Sequence, residues 1–465
     1  MSISKPPLAL STAIAAALLI SACSSTASGD SSGSTPSAAG SGSAAADGHH
    51  TEGEGQTEVA ALAPRAVLTY DGGMMTVDTE SGEVLATTEM DGFLRVNNAG
   101  DGRHVMVSST GGFSLFDSGL IVQGHGDHNH YFESAPTLTE ETVEAPEPGH
   151  VVVHDGKTAL FSDGTGAITV MDSEAINDGE ISDDEIKEYS TDSAHHGVAV
   201  PLASGDLLLT QGTADARNTV QVQSPEGDVI AETTDCPGVH GEAAAAPTAE
   251  GDVVALGCEN GPVVFRDGEF HKVTVEEDYQ RSGNLFGHHA SSIILGDYKV
   301  DADAEKERPT RIGLFDTLSD SVTTVDLGSA YWFRSLARGA DGEALVLTYD
   351  GQLNVLDEET GEMIHEIDVV DAWEEPDEWQ SPGPIVKVGA DGFAYVTDAA
   401  AQKLHVIDIE AGTVLDSFDL PETPTELVVV TGDPESSRHE DHEGHDHGDH
   451  EGHEGHDHEN EEHKG

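Results

Sequence analysis

Basic side chains are scarce in this chain. Lysine and arginine together number 20, against 88 aspartates and glutamates over 465 residues, for a formal net charge of −68. A surface of that sign repels phosphate backbones and anionic membrane surfaces and favours cations. Nucleic acid is therefore not an expected partner. Part of the acid excess also serves solubility, so charge alone names no ligand. Cysteine counts only 3 and methionine 7. Few thiols and thioethers speak against sites for soft metals such as cuprous copper. No nucleophile motif stands out either, and no enzymatic activity is expected from the sequence.

Long apolar runs are also missing. The longest, from Leu8 to Ile20, is too short to span a bilayer as a mature helix. It follows a sparse basic start at Lys5 and ends in Ile20-Ser21-Ala22-Cys23. Small residues before a cysteine look like a bacterial lipobox, with residues 1–22 a lipoprotein signal peptide and Cys23 the lipid-bearing residue. The alternative is an ordinary secretory signal with an incidental cysteine. Residues 23–60, rich in Ser, Gly and Ala, read as a flexible tether carrying His49 and His50. Two cysteines then remain, Cys236 and Cys258. A lone pair in an exported chain is expected to form a disulfide; unpaired thiols or a thiolate metal site are the alternatives.

What is plentiful is glycine, at 52 residues, placed with aspartate in turns between short apolar runs. That pattern predicts an all-β fold. A short strand motif recurs as "MMTVD" (74–78), "FSLFD" (113–117), "ITVMD" (168–172), "VQVQS" (220–224), "VVFRD" (263–267), "IGLFD" (312–316), "LNVLD" (353–357) and "LHVID" (404–408). A spacing of roughly 40–55 residues is the length of a four-stranded propeller blade. A Gly/Asp turn and another apolar strand precede many copies, as in "ASGDLLLTQG" and "GADGFAYVTD". The first copy lacks one strand, while "TELVVVTG" (425–432) is a spare strand at the other end. Pairing the two closes a ring and removes free sheet edges. The expectation is a single β-propeller over 61–432, of eight blades or alternatively seven, closed by the strand near 425–430.

Histidines fall where such a ring brings distant segments together. His195, His196, His240, His288 and His289 each stand just before an expected innermost strand, and "GHVVVH" carries His150 and His154 on another. Loops entering innermost strands sit at the channel mouth, so these imidazoles are expected to converge on one axis. Imidazole and carboxylate in roughly tetrahedral sets are zinc chemistry. Glu242 and Asp127 are candidate carboxylate ligands or acceptors for a ring N–H. The stretch "HGDHNHYF" places His125, His128 and His130 in the connection expected after the second blade, over the channel. His104, His271, His365 and His405 are read as structural or exposed. The segment 433–465 interleaves His439, His442, His445, His447, His450, His453, His456, His458 and His463 with acids and glycine. It has almost no apolar residues to fold around and offers many overlapping ligand sets, as expected of a disordered metal-binding tail.

On the propeller repeat, "HGDHNHYF", "CPGVHGE" with the later "GCEN", and the paired histidines, the chain resembles the AztD family of zinc metallochaperones, partners of bacterial zinc ABC transporters. The resemblance covers most of the mature domain. It implies a propeller that binds Zn2+ and hands it to the transporter's solute-binding protein, with His125, His128 and His130 contributing to one site and His240 and the paired histidines to an axial one. The lipobox and long tail depart from periplasmic members and suggest a surface-tethered monomer. Two other readings stand beside this one: a metal-dependent propeller hydrolase or lyase, and a surface scaffold with incidental histidines.

Overall fold

A computed structural model of the chain describes residues 55–434, apart from 127, 177–178 and 183–185. The expected signal peptide, Cys23, most of the tether, Asp127 and every tail histidine lie outside the described residues. Among the described residues no helix is long and apolar enough to cross a membrane. The one helical element there is a short 3-10 turn, Ser173–Ile176.

The described chain forms four-stranded antiparallel sheets in succession, eight of them, numbered here by their order around the ring. Their first strands are Glu426–Val430 (sheet 1), Arg95–Asn98 (sheet 2), Pro148–His154 (sheet 3) and Ala199–Pro201 (sheet 4). Those of sheets 5 to 8 are His240–Thr248, Leu285–Phe286, Leu336–Arg338 and Ile385–Val388. Each copy of the recurring motif is the third strand of its sheet, and the Gly/Asp turn before it leads into the second. The motif's aspartate has a local task. Asp78 Oδ1 accepts from Ser81 N at 2.7 Å, and Asp357 Oδ1 accepts from Thr360 N at 2.8 Å. These side chains replace backbone acceptors in the turn to the fourth strand.

Apolar residues alternate along the strands so that both faces of each sheet are covered by its neighbours. The buried clusters therefore lie between consecutive sheets. Phe161 and Ile168 of sheet 3 pack with Leu207 and Leu209 of sheet 4. The series closes on itself: Ala66, Leu68 and Leu427 of sheet 1 pack with Tyr395 and Leu404 of sheet 8. Closure is also covalently distant but hydrogen-bonded. Glu426–Val430 pairs antiparallel with Arg65–Tyr70, with Leu427 opposite Leu68 and Val429 opposite Ala66. The spare terminal strand thus completes the first sheet, as its sequence predicts.

Two segments differ from the sequence-based expectation. "HGDHNHYF" does not follow the second blade. It is a hairpin, Leu120–His125 with His128–Glu133, inserted between the third and fourth strands of sheet 2. A ninth, three-stranded sheet forms when Thr57–Val59, inside the expected tether, pairs with His128–Glu133. The His288–His289 pair was expected ahead of an innermost strand. That strand is Leu285–Phe286, so the pair follows it, in the turn to Ile293–Asp297, at the other end of the sheet. The two-residue strand was too short for its apolar signal to register.

Ring closure makes a strong demand on the terminal strand. Leu427 is fully buried between sheets 8 and 1. Leu427→Ala is expected to cost about 2–5 kcal/mol, the range for a buried leucine truncation. Urea unfolding followed by circular dichroism measures it; an unchanged midpoint would mean the strand does not close the ring.

Candidate metal centre

The structure gathers two groups of histidines whose ligand atoms lie within 4.8 Å of one another: His150 with His196 and His240, and His125 with His128 and His130. The first comes from three consecutive sheets. His150 lies in the first strand of sheet 3, His196 in the loop entering sheet 4, and His240 opens the first strand of sheet 5. Ring centroids are 5.0 Å apart for His150–His196, 5.6 Å for His150–His240 and 5.0 Å for His196–His240.

Each ring has one nitrogen occupied by an acceptor or facing one. His196 Nδ1 is 2.5 Å from Asp163 Oδ2, at the end of the second strand of sheet 3. His240 Nδ1 donates to Gly283 O at 2.6 Å. His150 Nδ1 faces Glu242 Oε2 at 3.4 Å. With the protons on Nδ1, the Nε2 lone pairs are left for a ligand. His150 Nε2 and His196 Nε2 stand 3.4 Å apart. Two nitrogens at about 2.0–2.1 Å from one tetrahedral zinc would be separated by roughly that distance. In the tautomer with both protons on Nδ1, two lone pairs this close repel each other unless a cation sits between them. Glu242 Oε2 is buried and makes no hydrogen bond, a further site of negative charge beside the three rings. The residues present therefore fit a zinc ion.

Local backbone features set this arrangement. Gly241 has φ of +73° and breaks the register between His240 and Glu242. A Cβ there would come within 2.6 Å of Gly283 O, the acceptor for His240. The Cys236–Cys258 disulfide joins the loop before His240 to the end of the adjacent strand. His240 itself pairs across the ladder with Gly257, next to Cys258. Burial, then the neighbouring His150 and His196, hold the His240 pKa well below the usual imidazole value. It therefore stays neutral where an unfolded histidine, with a pKa of about 6.5, takes up a proton. The sign follows: the stability tied to this neutral ring is present above about pH 6.5 and is lost as pH falls from there toward the lowered folded value.

The second group is built by strand register. His125 and His128 are directly opposite across a two-residue turn, in which Gly126 has φ of +66°. His128 and His130 alternate along one strand, so all three rings share one face of the hairpin. His128 Nε2 and His130 Nε2 are 3.2 Å apart. His130 Nδ1 bonds Glu58 Oε1 at 2.8 Å, and Glu58 lies on the paired Thr57–Val59 strand. This group is mostly exposed, whereas the ring group is half-buried.

The remaining expected ligands are placed elsewhere. His195 points away from its neighbour His196 into the space between sheets 3 and 4. It is bonded to Ser193 O at 2.9 Å and Thr210 Oγ1 at 3.0 Å, edge-on to Phe161. Adjacent residues project to opposite sides of an extended segment, which separates the two. His288 and His289 lie side by side with tilted rings, centroids 4.4 Å apart, with His288 Nε2 2.9 Å from Ala340 O, and join neither group. Glu242 borders the ring group, its Oε2 facing His150 Nδ1 without a hydrogen bond. His104 bonds Asp101, as a structural histidine would. Asp163, the Gly283 carbonyl and Glu58 carried no sequence signal, because only folding puts them beside an imidazole. His150 was legible as an imidazole on the same axis as His196 and His240, but was not singled out as a ligand.

Removing the acceptor for His196 isolates its contribution. Asp163→Asn is expected to weaken the tightest zinc binding by about 10–100-fold, the usual cost of losing a group that orients a ligand. Calorimetric titration would show it; wild-type affinity in the variant would mean that Asp163 does not orient His196.

No protein-family model matches the chain. It is 27% identical to the zinc chaperone AztD of Citrobacter koseri over 387 residues, which covers 79% of this chain and 88% of the relative. A solved structure of apo AztD from Citrobacter koseri superposes with a TM-score of 0.66 at 24% identity, covering 80% of this chain and 98% of that one. A second Citrobacter koseri AztD structure gives a TM-score of 0.65 at 25% identity, over 79% of this chain and 98% of that one. The dihydro-heme d1 dehydrogenase NirN shares the fold alone, with a TM-score of 0.51, 12% identity, and coverage of 80% of this chain and 75% of that one. The resemblance read from the sequence is thereby borne out: the chain is an AztD-like, all-β propeller protein.

Proposed function

We propose that this protein is an extracytoplasmic zinc metallochaperone, not an enzyme, that captures Zn2+ and passes it to the solute-binding protein of a zinc ABC transporter. The observation that carries the reading is the set of three Nε2 atoms from His150, His196 and His240, their other nitrogens turned to Asp163, Glu242 and Gly283. The sequence similarity to a protein named a zinc chaperone supports the same assignment. His125, His128 and His130 form a second, more exposed zinc site. The disulfide fits export to an oxidising compartment. The leader over residues 1–22 supplies the export signal, and Cys23, as the lipobox cysteine, carries the membrane anchor. The folded unit works as a monomer.

Delivery requires that zinc leave by ligand exchange. The ring group opens at the end where loops enter the innermost strands, so an incoming imidazole or carboxylate can displace one histidine at a time. Zinc is favoured over cuprous copper because the donors are imidazole and carboxylate. A water-bearing three-histidine site could also hydrolyse a substrate, so the test must separate delivery from turnover.

Zinc transfer to a solute-binding protein of a zinc transporter is expected to run faster than zinc release into excess chelator. His196→Ala and His240→Ala together should abolish transfer from the ring site. Transfer no faster than release, with wild-type protein, would overturn the delivery reading. Because a protonated imidazole cannot ligate, zinc affinity is expected to fall as pH drops below about 6.5. Equal affinities at pH 7.5 and pH 5 in calorimetry would exclude histidine ligation.

A further inference from the structure

Nearly every described arginine is paired with an acid. Of the ten described arginines, eight lie in ion pairs with carboxylates, among them Arg65 with Glu133, Arg266 with Asp320 and Arg338 with Glu358. Among the described residues, Arg217 and Arg281 are the two arginines without such a pair, although the chain has 88 acids to 20 bases. They belong to different sheets, yet both border the group formed by His150, His196 and His240.

Topology brings them there. In each four-stranded sheet the first strand begins at the channel mouth, the second returns to it, and the third starts from it again. Arg217 opens the third strand of sheet 4, Arg217–Gln223, and its Nη1 donates to His196 O at 3.2 Å. Arg281 stands in the loop entering Leu285–Phe286, the first strand of sheet 6. Its guanidinium lies by Gly283: a Cβ built there would be 3.6 Å from Arg281 Nε and 3.7 Å from His240 Nδ1. The carbonyl of the same Gly283 is the acceptor that holds His240. Both arginines are half-buried, and Arg281 Nε is buried without a hydrogen-bond partner. The hydrogen bonds of Arg281 to described residues are those of its backbone, with Lys299. Burial, then the charge of Arg281, lower the Arg217 pKa, so the two guanidinium groups feel each other; Asp163 and Glu259 counter this at Arg217 from beyond ion-pair distance.

Two unpaired cations close together and half-buried are destabilising, through repulsion and lost hydration. A zinc ion on three neutral imidazoles would add two more positive charges beside them. The place therefore favours an anion, and the planar guanidinium fork matches a carboxylate. From this arrangement we infer that Arg217 and Arg281 form a carboxylate-docking site on the rim of the ring group, which receives an acidic side chain of the protein that takes the zinc. The inference rests on the delivery reading above and names the chemical group with which the acceptor makes first contact. Held by the two guanidinium groups, that carboxylate is brought to the edge of the histidine group, where it enters the zinc's ligand shell as an imidazole leaves. The arginines thus act on the approach of the acceptor, while the imidazoles hold the ion.

The test uses the full chain loaded with one equivalent of zinc, and the solute-binding protein of a zinc transporter as acceptor. Arg281→Gln removes the charge and breaks no side-chain hydrogen bond to a described residue. Transfer from it is expected to be slower by about tenfold or more at low ionic strength, and slower again from Arg281→Glu. Added salt should slow transfer from the wild type more than from Arg281→Gln. Zinc affinity, read by chelator competition, should be unchanged or tighter in Arg281→Gln, because a neighbouring cation is gone. Acetate at constant ionic strength should slow wild-type transfer by occupying the arginines. Wild-type transfer rates in both Arg281 variants would overturn the docking site. So would a weaker zinc affinity in Arg281→Gln, which would make the arginine a support of the metal group. Transfer that acetate speeds would make a free carboxylate the occupant and overturn docking of the acceptor. Failure of the delivery reading shows in the wild type alone, as transfer no faster than release into chelator. Matching thermal unfolding of the variants excludes misfolding as the cause.

Discussion

Closure of the ring is the constraint on which the rest depends. A row of four-stranded sheets packed face to face leaves two apolar faces bare at its ends. Here the first and last sheets meet, through Ala66, Leu68 and Leu427 on one side and Tyr395 and Leu404 on the other. The strand Glu426–Val430, hydrogen-bonded to Arg65–Tyr70, joins the last described strand to one of the first in a single sheet. Once the ring is closed, the entry ends of sheets 3, 4 and 5 converge. Three imidazoles, 46 residues apart between His150 and His196 and 44 between His196 and His240 by their numbers, then share one small volume. Little further chain ordering is left for zinc binding to cost.

The two histidine groups solve the same coordination problem differently. In the ring group each imidazole comes from a separate sheet; His196 and His240 are held by acceptors from other segments, and His150 faces Glu242. Its burial keeps His240 neutral and lowers the local dielectric, which strengthens charge interactions. In the hairpin group all three imidazoles come from one hairpin, and Glu58 is brought to His130 from a separate strand. Such a site is set by local register and stays open to solvent. A half-buried, pre-oriented site suits retention, and an exposed one suits exchange. The two groups lie at opposite ends of the sheets, one where the first strands begin and one at a connection from a third to a fourth strand.

Much of the fold was legible in the sequence, because a strand's apolar alternation and its Gly/Asp turns are local signals. The recurring motif marked the third strand of each four-stranded sheet, and "TELVVVTG" marked the closing strand. Legibility failed where local signals were short or shared. Leu285–Phe286 is a strand of two residues, so "SSIIL" was read as innermost and the His288–His289 pair was put at the wrong end. The Gly-Asp turn of "HGDHNH" is itself a hairpin signal, and read as such it would have placed His125 opposite His128.

Composition, periodicity and turn residues therefore determined the class of fold, the order of its strands, the pairing that closes it and the choice of imidazole as the donor. Those are properties of neighbouring residues, and neighbours along a chain fix them. Which imidazoles meet was decided only by the tertiary structure. Adjacent histidines such as His195 and His196 have the same sequence context but project to opposite sides, one into packed side chains and one toward Asp163. Asp163, Glu58 and the Gly283 carbonyl became part of the sites because folding carried them there, across separations that no local pattern encodes.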